Sequence, residues 1–121
     1  MEAQRISGSA NPSFYVICRR VDGDNFIYGD VDLEGDANLG QVADGQQEIL
    51  ENSEDIGVSQ EGINRLRLDC IGNSTTFYIN DVLVTTTEIN GPSTGAIGFG
   101  AGGAGQGQTD YRFDNLVVYS P

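Results

Sequence analysis

Short stretches of this chain alternate apolar and polar residues with a period of two, and none carries the sustained apolar stripe of a helix. In RLRLDC (65–70), for example, the apolar residues fall on one face of a strand and the charged residues on the other. Gly, Asn and Asp separate such stretches, so the pattern predicts an all-β protein. The window 46–56 is the most helix-like, yet it lacks an apolar stripe. The predicted strands are 2–7, 13–21, 25–33, 37–43, 46–51, 63–71, 74–80, 82–88, 95–101 and 109–119.

Many short strands joined by short turns predict two packed antiparallel sheets, a β-sandwich or jelly roll, in a single domain over residues 1–121. The pair Asn80-Asp81 predicts a tight hairpin, because both residue types tolerate positive φ. Residues 14–18, FYVIC, are apolar throughout, which predicts a strand covered on both faces. The glycine-dense segment 98–107 lacks a surrounding βαβ unit, so we interpret it as a loop and not as a nucleotide-binding turn.

The charge balance excludes several classes of function. Acidic residues outnumber basic ones 18 to 6, which gives a net charge of −12. Such a surface repels nucleic acid and anionic membranes, and no apolar run reaches the ~20 residues of a membrane span. The lack of histidine excludes Ser-His-Asp and Cys-His nucleophiles and histidine-ligated zinc. We therefore expect no nucleic-acid partner, no membrane insertion and no cofactor, except that the many carboxylates suit a structural calcium ion.

The two cysteines, Cys18 and Cys70, lie in apolar strand-like contexts and form no CxxC pair. In a glycine-rich, acidic chain without lysine, such a pair is typical of a disulfide in an exported protein. The alternative is two buried free thiols. No signal peptide is visible at the N-terminus, so we expect a mature chain or a piece of a longer protein.

The stretch DVDLEGD (30–36) places a carboxylate at every second position and has three interpretations. Asp30, Asp32 and Glu34 would line one face of a strand, as a glycosidase requires of its two acids. The stretch also resembles the start of an EF-hand loop, but Gln41 stands where the bidentate Glu belongs. The third interpretation, which the flanking strands favour, is a strand end followed by a turn at Glu34-Gly35. Asp30 and Asp32 then remain candidate metal ligands, and the catalytic interpretation is weakened.

Four stretches together carry a family resemblance: YVICRR…DNFIYGDV, INRLRLDCIG, FYINDVLV and YRFDNLVVYS. They resemble the concanavalin A-like, laminin G-like jelly-roll domains of bacterial secreted and cell-surface proteins, some of which are related to a 3-keto-disaccharide hydrolase family. The resemblance runs through about residues 2–119. Asp81 departs from the glycine that is more usual there. The family also has further N-terminal strands, which implies that the sandwich is incomplete here and is completed by the remainder of a longer protein or by other copies of this chain.

The resemblance and the wet faces of the predicted strands together suggest site residues. Arg forks and Tyr rings suit sugar hydroxyls or uronates, although the same side chains could instead pair with Asp69, Asp110 and Asp114. Related jelly rolls hold calcium near the final strand, which implies Asp114 as a ligand beside the candidates Asp30 and Asp32. Asn73 begins an N-x-[ST] acceptor for glycosylation. The candidate sugar-binding residues are Arg19, Tyr28, Arg65, Arg67, Tyr78 and Arg112.

Together these features predict a non-enzymatic extracellular or cell-surface module that recognises carbohydrate. The alternative is a structural subunit that self-assembles by strand complementation into a polymer or surface layer. A carboxylate-based glycoside-active enzyme ranks third, since aromatic residues that would stack on sugar are sparse and tryptophan is missing.

Overall fold

The computed structural model describes residues 1–8, 11–104 and 110–119, and within these ranges it contains ten strands and no helix. The predicted all-β fold is confirmed, and the helix-like window 46–56 contains a strand. The strands are β1 (Glu2–Ser7), β2 (Asn11–Asp22), β3 (Asn25–Asp32), β4 (Ala37–Ala43), β5 (Gln46–Ser53), β6 (Asn64–Ile71), β7 (Ser74–Ile79), β8 (Val82–Glu88), β9 (Ala96–Ala104) and β10 (Asp110–Asp114).

The strands form two antiparallel five-stranded sheets that pack face to face as a β-sandwich. Sheet A has the strand order β10-β1-β6-β7-β8, and sheet B has the order β5-β4-β3-β2-β9. The predicted loop at 98–107 is wrong over its first part, because β9 continues to Ala104; residues 105–107 lie outside the described ranges. The predicted strand 109–119 is too long, because β10 ends at Asp114.

The core lies between the sheets and follows the period-two alternation of the sequence. In β2, Phe14, Val16 and Cys18 are buried, while Tyr15 and Ile17 on the outer side are half-exposed. The prediction that 14–18 is covered on both faces is therefore wrong, because no layer covers this outer face among the described residues. In sheet A, the alternation of RLRLDC holds as predicted, with its leucines facing the core and its arginines facing solvent.

One glycine sets how closely the two sheets approach. Gly29 in β3 faces the ring of Phe77 in β7 of the opposite sheet, and both residues are buried. A Cβ added at Gly29 would lie 2.8 Å from Cδ1 of that ring, which is closer than two non-bonded carbon atoms approach each other. The missing side chain at this position therefore makes room for Phe77, a fully buried aromatic residue of the core.

A disulfide and a group of aromatic rings join the two sheets. Cys18 in β2 is bonded to Cys70 in β6, as predicted, with their Cα atoms 6.7 Å apart. On the other side of the sandwich, Phe14 makes edge-to-face contacts with Tyr111 and Phe113 of β10, at centroid distances of 5.7 and 6.1 Å. Phe113 also contacts the Phe99 ring of β9 at a centroid distance of 5.2 Å, so these rings bring β10 of sheet A close to β2 and β9 of sheet B.

Two predicted turns are confirmed by their backbone geometry. Asn80 and Asp81 have φ values of 51° and 66°, so the hairpin between β7 and β8 uses the left-handed region at both positions. The turn after β3 contains Gly35 with φ of 88°. In that turn the Asp32 carboxylate accepts hydrogen bonds from the backbone N–H groups of Glu34 and Asp36, at 2.9 and 3.0 Å. Asp32 therefore stabilises the turn that ends the strand.

Candidate functional site

A row of polar side chains crosses the outer face of sheet B. Because side chains alternate along β3, Asp30 points outward between the buried residues Gly29 and Val31. The strand register sets Tyr15 of β2 opposite Asp30 on one side and Asn38 of β4 opposite it on the other. Asn52 of β5 lies opposite Asn38 in turn. We call Tyr15, Asp30, Asn38 and Asn52 the polar row.

Hydrogen bonds orient the side chains of the polar row. The Asn38 amide donates to Oδ1 of Asp30 at 3.0 Å, and the Asn52 amide donates to Oδ1 of Asn38 at 2.8 Å. The Asn52 amide also donates to Oδ1 of Asp36 at 2.7 Å. Within the described part of the chain, no side chain other than Asn38 donates to the Asp30 carboxylate. The row is thus a pre-oriented set of amide and carboxylate groups that a ligand would meet with little loss of side-chain freedom.

The charge of the polar row is that of its one carboxylate, Asp30. Partial burial raises the pKa of Asp30 above the usual value, and the negative charges of Asp36 and Asp32 act in the same direction. The hydrogen bond from Asn38 opposes this rise. A raised pKa means that the fold disfavours the charge on Asp30. A bound group that donates hydrogen bonds to this carboxylate would therefore be stabilised, and an anionic group would be repelled.

Glycines on neighbouring strands make room for two tyrosine rings on the same face. The Tyr28 hydroxyl lies 2.7 Å from the position of a Cβ at Gly40 on β4, and it accepts a hydrogen bond from the Gln47 amide at 2.7 Å. Tyr15 lies across Gly100 of β9 in the same way, since an added Cβ there would collide with its hydroxyl. Tyr28 is almost fully buried, whereas Tyr15 keeps part of its surface exposed. Of the two, Tyr15 is therefore the ring available to a ligand.

The predicted sugar-binding residues do not form one group. Arg65, Arg67, Tyr78 and Arg112 share the outer face of sheet A, whereas Tyr28 lies on the outer face of sheet B. Because the sandwich core separates these faces, Tyr28 cannot act with the other four on one sugar unit.

The arginines of sheet A are largely engaged by the protein itself. Arg67 donates two hydrogen bonds to Asp69, at 2.9 and 2.8 Å, and its guanidinium lies 4.7 Å from the centroid of the Tyr78 ring. Arg65 forms an ion pair with Asp81 at 2.7 Å. The predicted alternative partner Asp69 is confirmed for Arg67, but the pair lies along β6 and not across two strands, and Arg65 has a partner that was not predicted.

Arg19 connects the two sheets at one end of the sandwich. It has a positive φ of 53°, at the point where the pairing of β2 with its neighbours becomes irregular. Its guanidinium donates to the backbone carbonyls of Cys70, at 3.2 Å, and of Gly72. Arg19 therefore satisfies carbonyl groups beside the disulfide and does not lie on a face with Tyr28.

The three predicted metal ligands also lie apart. Asp30 and Asp32 are on the outer face of sheet B, whereas Asp114 ends β10 at the edge of sheet A. The carboxylate of Asp32 is used by the turn, and Asp114 accepts a hydrogen bond from the backbone N–H of Asn115 at 2.8 Å. Among the residues described, no three or more acids, cysteines or histidines are arranged to hold a metal ion. Calcium binding stays a prediction without a site.

The remaining site predictions concern single exposed positions. Asn73 lies in the exposed turn between β6 and β7, which is accessible to glycosylation, and its occupancy stays a prediction. Arg112 borders a shallow pocket on the outer face of sheet A. In that pocket it lies beside Gln4, Asp114 and the exposed Ile63.

A comparison with protein-family models and with curated proteins finds no match to this chain. In the described ranges there is no helix long and apolar enough to span a membrane. The disulfide between Cys18 and Cys70 is compatible with an extracellular location.

Proposed function

We propose that this protein is a non-enzymatic recognition module that binds carbohydrate through the outer face of sheet B. The polar row is the observation that carries the proposal. It presents amide and carboxylate groups held by hydrogen bonds, next to the partly exposed ring of Tyr15. Planar polar groups beside an aromatic ring are the usual means of binding a sugar, whose hydroxyls both donate and accept hydrogen bonds.

The charge of the face selects among carbohydrates. Asp30, Asp32 and Asp36 lie close enough for the last two to raise the pKa of the first, and the whole chain carries a net charge of −12. Acidic sugars would meet repulsion here, whereas the hydroxyls of a neutral sugar can donate to the Asp30 carboxylate. The proposed ligand class is therefore neutral glycans. This differs from the sequence prediction, which placed sugar hydroxyls or uronates on a set of arginines and tyrosines.

The concanavalin A-like identity and the secreted or cell-surface location belong to the same proposal. Two antiparallel five-stranded sheets are compatible with that jelly roll, and the disulfide is compatible with export. Catalysis has less support. A glycosidase needs two carboxylates that face one glycosidic bond. On β3 these would be Asp30 and Asp32, but the Asp32 carboxylate already accepts hydrogen bonds from two backbone N–H groups of the turn.

The test is a screen on a glycan array that holds neutral and acidic sugars, followed by calorimetry on any ligand found. The variant Asn38→Ala removes the side chain that orients Asp30, and we expect binding to weaken about tenfold, the value of one hydrogen bond of ~1.4 kcal/mol. Arg67→Ala, on the opposite sheet, is the matched control and should bind as the wild type does. Circular dichroism checks that both variants fold.

Two outcomes would contradict the proposal. One is an array without any binding by the folded wild-type protein. The other is a ligand whose binding is lost in Arg67→Ala but kept in Asn38→Ala, which would move the site to sheet A.

A further inference from the structure

β9 is an edge strand without the usual protection of sheet edges. Among the described residues it has a neighbouring strand on one side only, β2. Its nine residues, AIGFGAGGA, include no charged residue and no proline. An edge strand exposes a row of unpaired backbone N–H and C=O groups, and a long uncharged edge readily pairs with another strand.

The other three edge strands are all charged. β5 carries Glu48 and Glu51, and β8 ends at Glu88. β10 has three charged residues among its five. Charges of this kind are a standard means of preventing edge-to-edge association. In a chain with a net charge of −12, the lack of any charge along β9 therefore stands out.

The side chains of β9 also fit the approach of another strand. Ile97 and Phe99 point to the inner side of the sandwich yet remain 45% and 41% exposed, although the Phe99 ring lies 5.2 Å from that of Phe113 in β10. On the outer side lie Gly98, Gly100 and Gly102, which add no side chain of their own, although the Tyr15 ring of β2 lies across Gly100. A strand added along β9 would form backbone hydrogen bonds and would also cover apolar surface that the fold leaves in water.

We propose that β9 pairs with β9 of a second copy of this chain, antiparallel and about a two-fold axis, so that the two B sheets form one continuous sheet. Charge decides the choice of partner strand. Pairing β9 with β9 brings no carboxylates together, whereas pairing through β5 or β10 would set acidic residues of two highly negative molecules side by side, and pairing along the whole of β8 would include its terminal Glu88. A two-fold contact also uses the same strand on both copies and closes at a dimer.

The segment Leu116–Tyr119 is the competing partner for this edge. Its four apolar side chains are 47–86% exposed, and it lies outside any strand. Pairing through this segment would first require ordering it into a strand, at a cost of about 1–2 kcal/mol per residue in backbone entropy. It also offers four residues where β9 offers nine that are already extended. The observations therefore favour β9, and this dimer does not depend on the proposed carbohydrate site.

Analytical ultracentrifugation over a series of protein concentrations tests the proposal. Wild-type protein should sediment as a monomer–dimer equilibrium. Gly102→Glu places a carboxylate on the β9 edge, at a position where an added Cβ meets no atom within 4 Å, so the fold should tolerate it. We expect its dimer dissociation constant to rise at least tenfold. Gln46→Glu, an exposed position on β5, adds the same charge to a different edge and should leave the dimer unchanged.

A third variant, Val117→Asp, separates the two candidate partners, and the proposal predicts that it dimerises like the wild type. Weakened association in Val117→Asp with normal association in Gly102→Glu would assign the interface to the C-terminal segment and overturn the proposal. A wild-type protein that stays monomeric at every concentration, or that forms a polymer larger than a dimer, would overturn it as well.

Discussion

The disulfide between Cys18 and Cys70 should supply a large share of the stability of this fold. It joins residues 52 positions apart and links β2 of one sheet to β6 of the other. We predict that the double variant Cys18→Ala/Cys70→Ala is less stable by about 4 kcal/mol at 25 °C. The physical reason is that the open chain gains conformational freedom when it unfolds, by about 14 cal/mol/K for a loop of this length in the chain-entropy treatment.

This loss converts into a melting temperature that calorimetry can measure. Unfolding entropy is about 2.1 cal/mol/K per residue, so a chain of 121 residues has a total near ~250 cal/mol/K. A loss of 4 kcal/mol then lowers the melting temperature by about 16 °C. Because domains of this size have total stabilities of only ~5–15 kcal/mol, the variant should be close to unfolding at physiological temperature.

Urea denaturation of three samples separates the cross-link from the packing of the two sulfur atoms. The oxidised wild type is the reference, the reduced wild type removes the cross-link alone, and the double variant removes both. We expect the m-value to rise in the last two, because the unfolded chain exposes more surface once the loop is open. A loss below about 1 kcal/mol with an unchanged m-value would refute the reasoning that the loop constrains the unfolded state.

Two further predictions concern β3. Gly29→Ala should lower the free energy of unfolding by about 1–3 kcal/mol, because its Cβ would lie 2.8 Å from the Phe77 ring. The control is Gly57→Ala, whose Cβ meets no atom within 4 Å and which should change that free energy by less than about 0.5 kcal/mol. Urea denaturation of both variants measures the difference. Asp30 has a raised pKa in the fold, so the wild type loses stability as pH rises through that pKa. The melting temperature of Asp30→Asn should therefore be higher than that of the wild type at neutral pH and equal to it in acid. A lower melting temperature of the variant at neutral pH would contradict this.

The central strands β2, β3, β6 and β7 could be predicted from the sequence because one face of each is buried. The alternation in RLRLDC and the positive-φ residues Asn80 and Asp81 are local signals, and the structure bears out both. The prediction failed where local pattern and tertiary contact differ. Residues 116–119 are of types common in strands, yet the described structure gives them no neighbouring strand and no strand conformation.

The polar row could not be predicted, because its four residues come from four strands and no local motif connects them. Its one sequence signal was Asp30, whose outward direction follows from the alternation in β3. Placing Tyr15, Asn38 and Asn52 beside it requires the register of three strand pairs. Arg19 illustrates the same limit. Its backbone reversal and its bonds to carbonyls of the other sheet depend on an irregularity of pairing that composition does not reveal.

The disulfide also has a mechanical consequence. If the two ends of the chain are pulled apart, the force passes through the Cys18–Cys70 bond and bypasses the residues between them, 19–69. These residues would remain slack, which shortens the length released on forced unfolding by about 180 Å. Asp30, Asn38 and Asn52 all lie inside this covalent loop. After a single proteolytic cut in the loop, both fragments would still be joined by the disulfide, so the protein would keep all four side chains of the polar row.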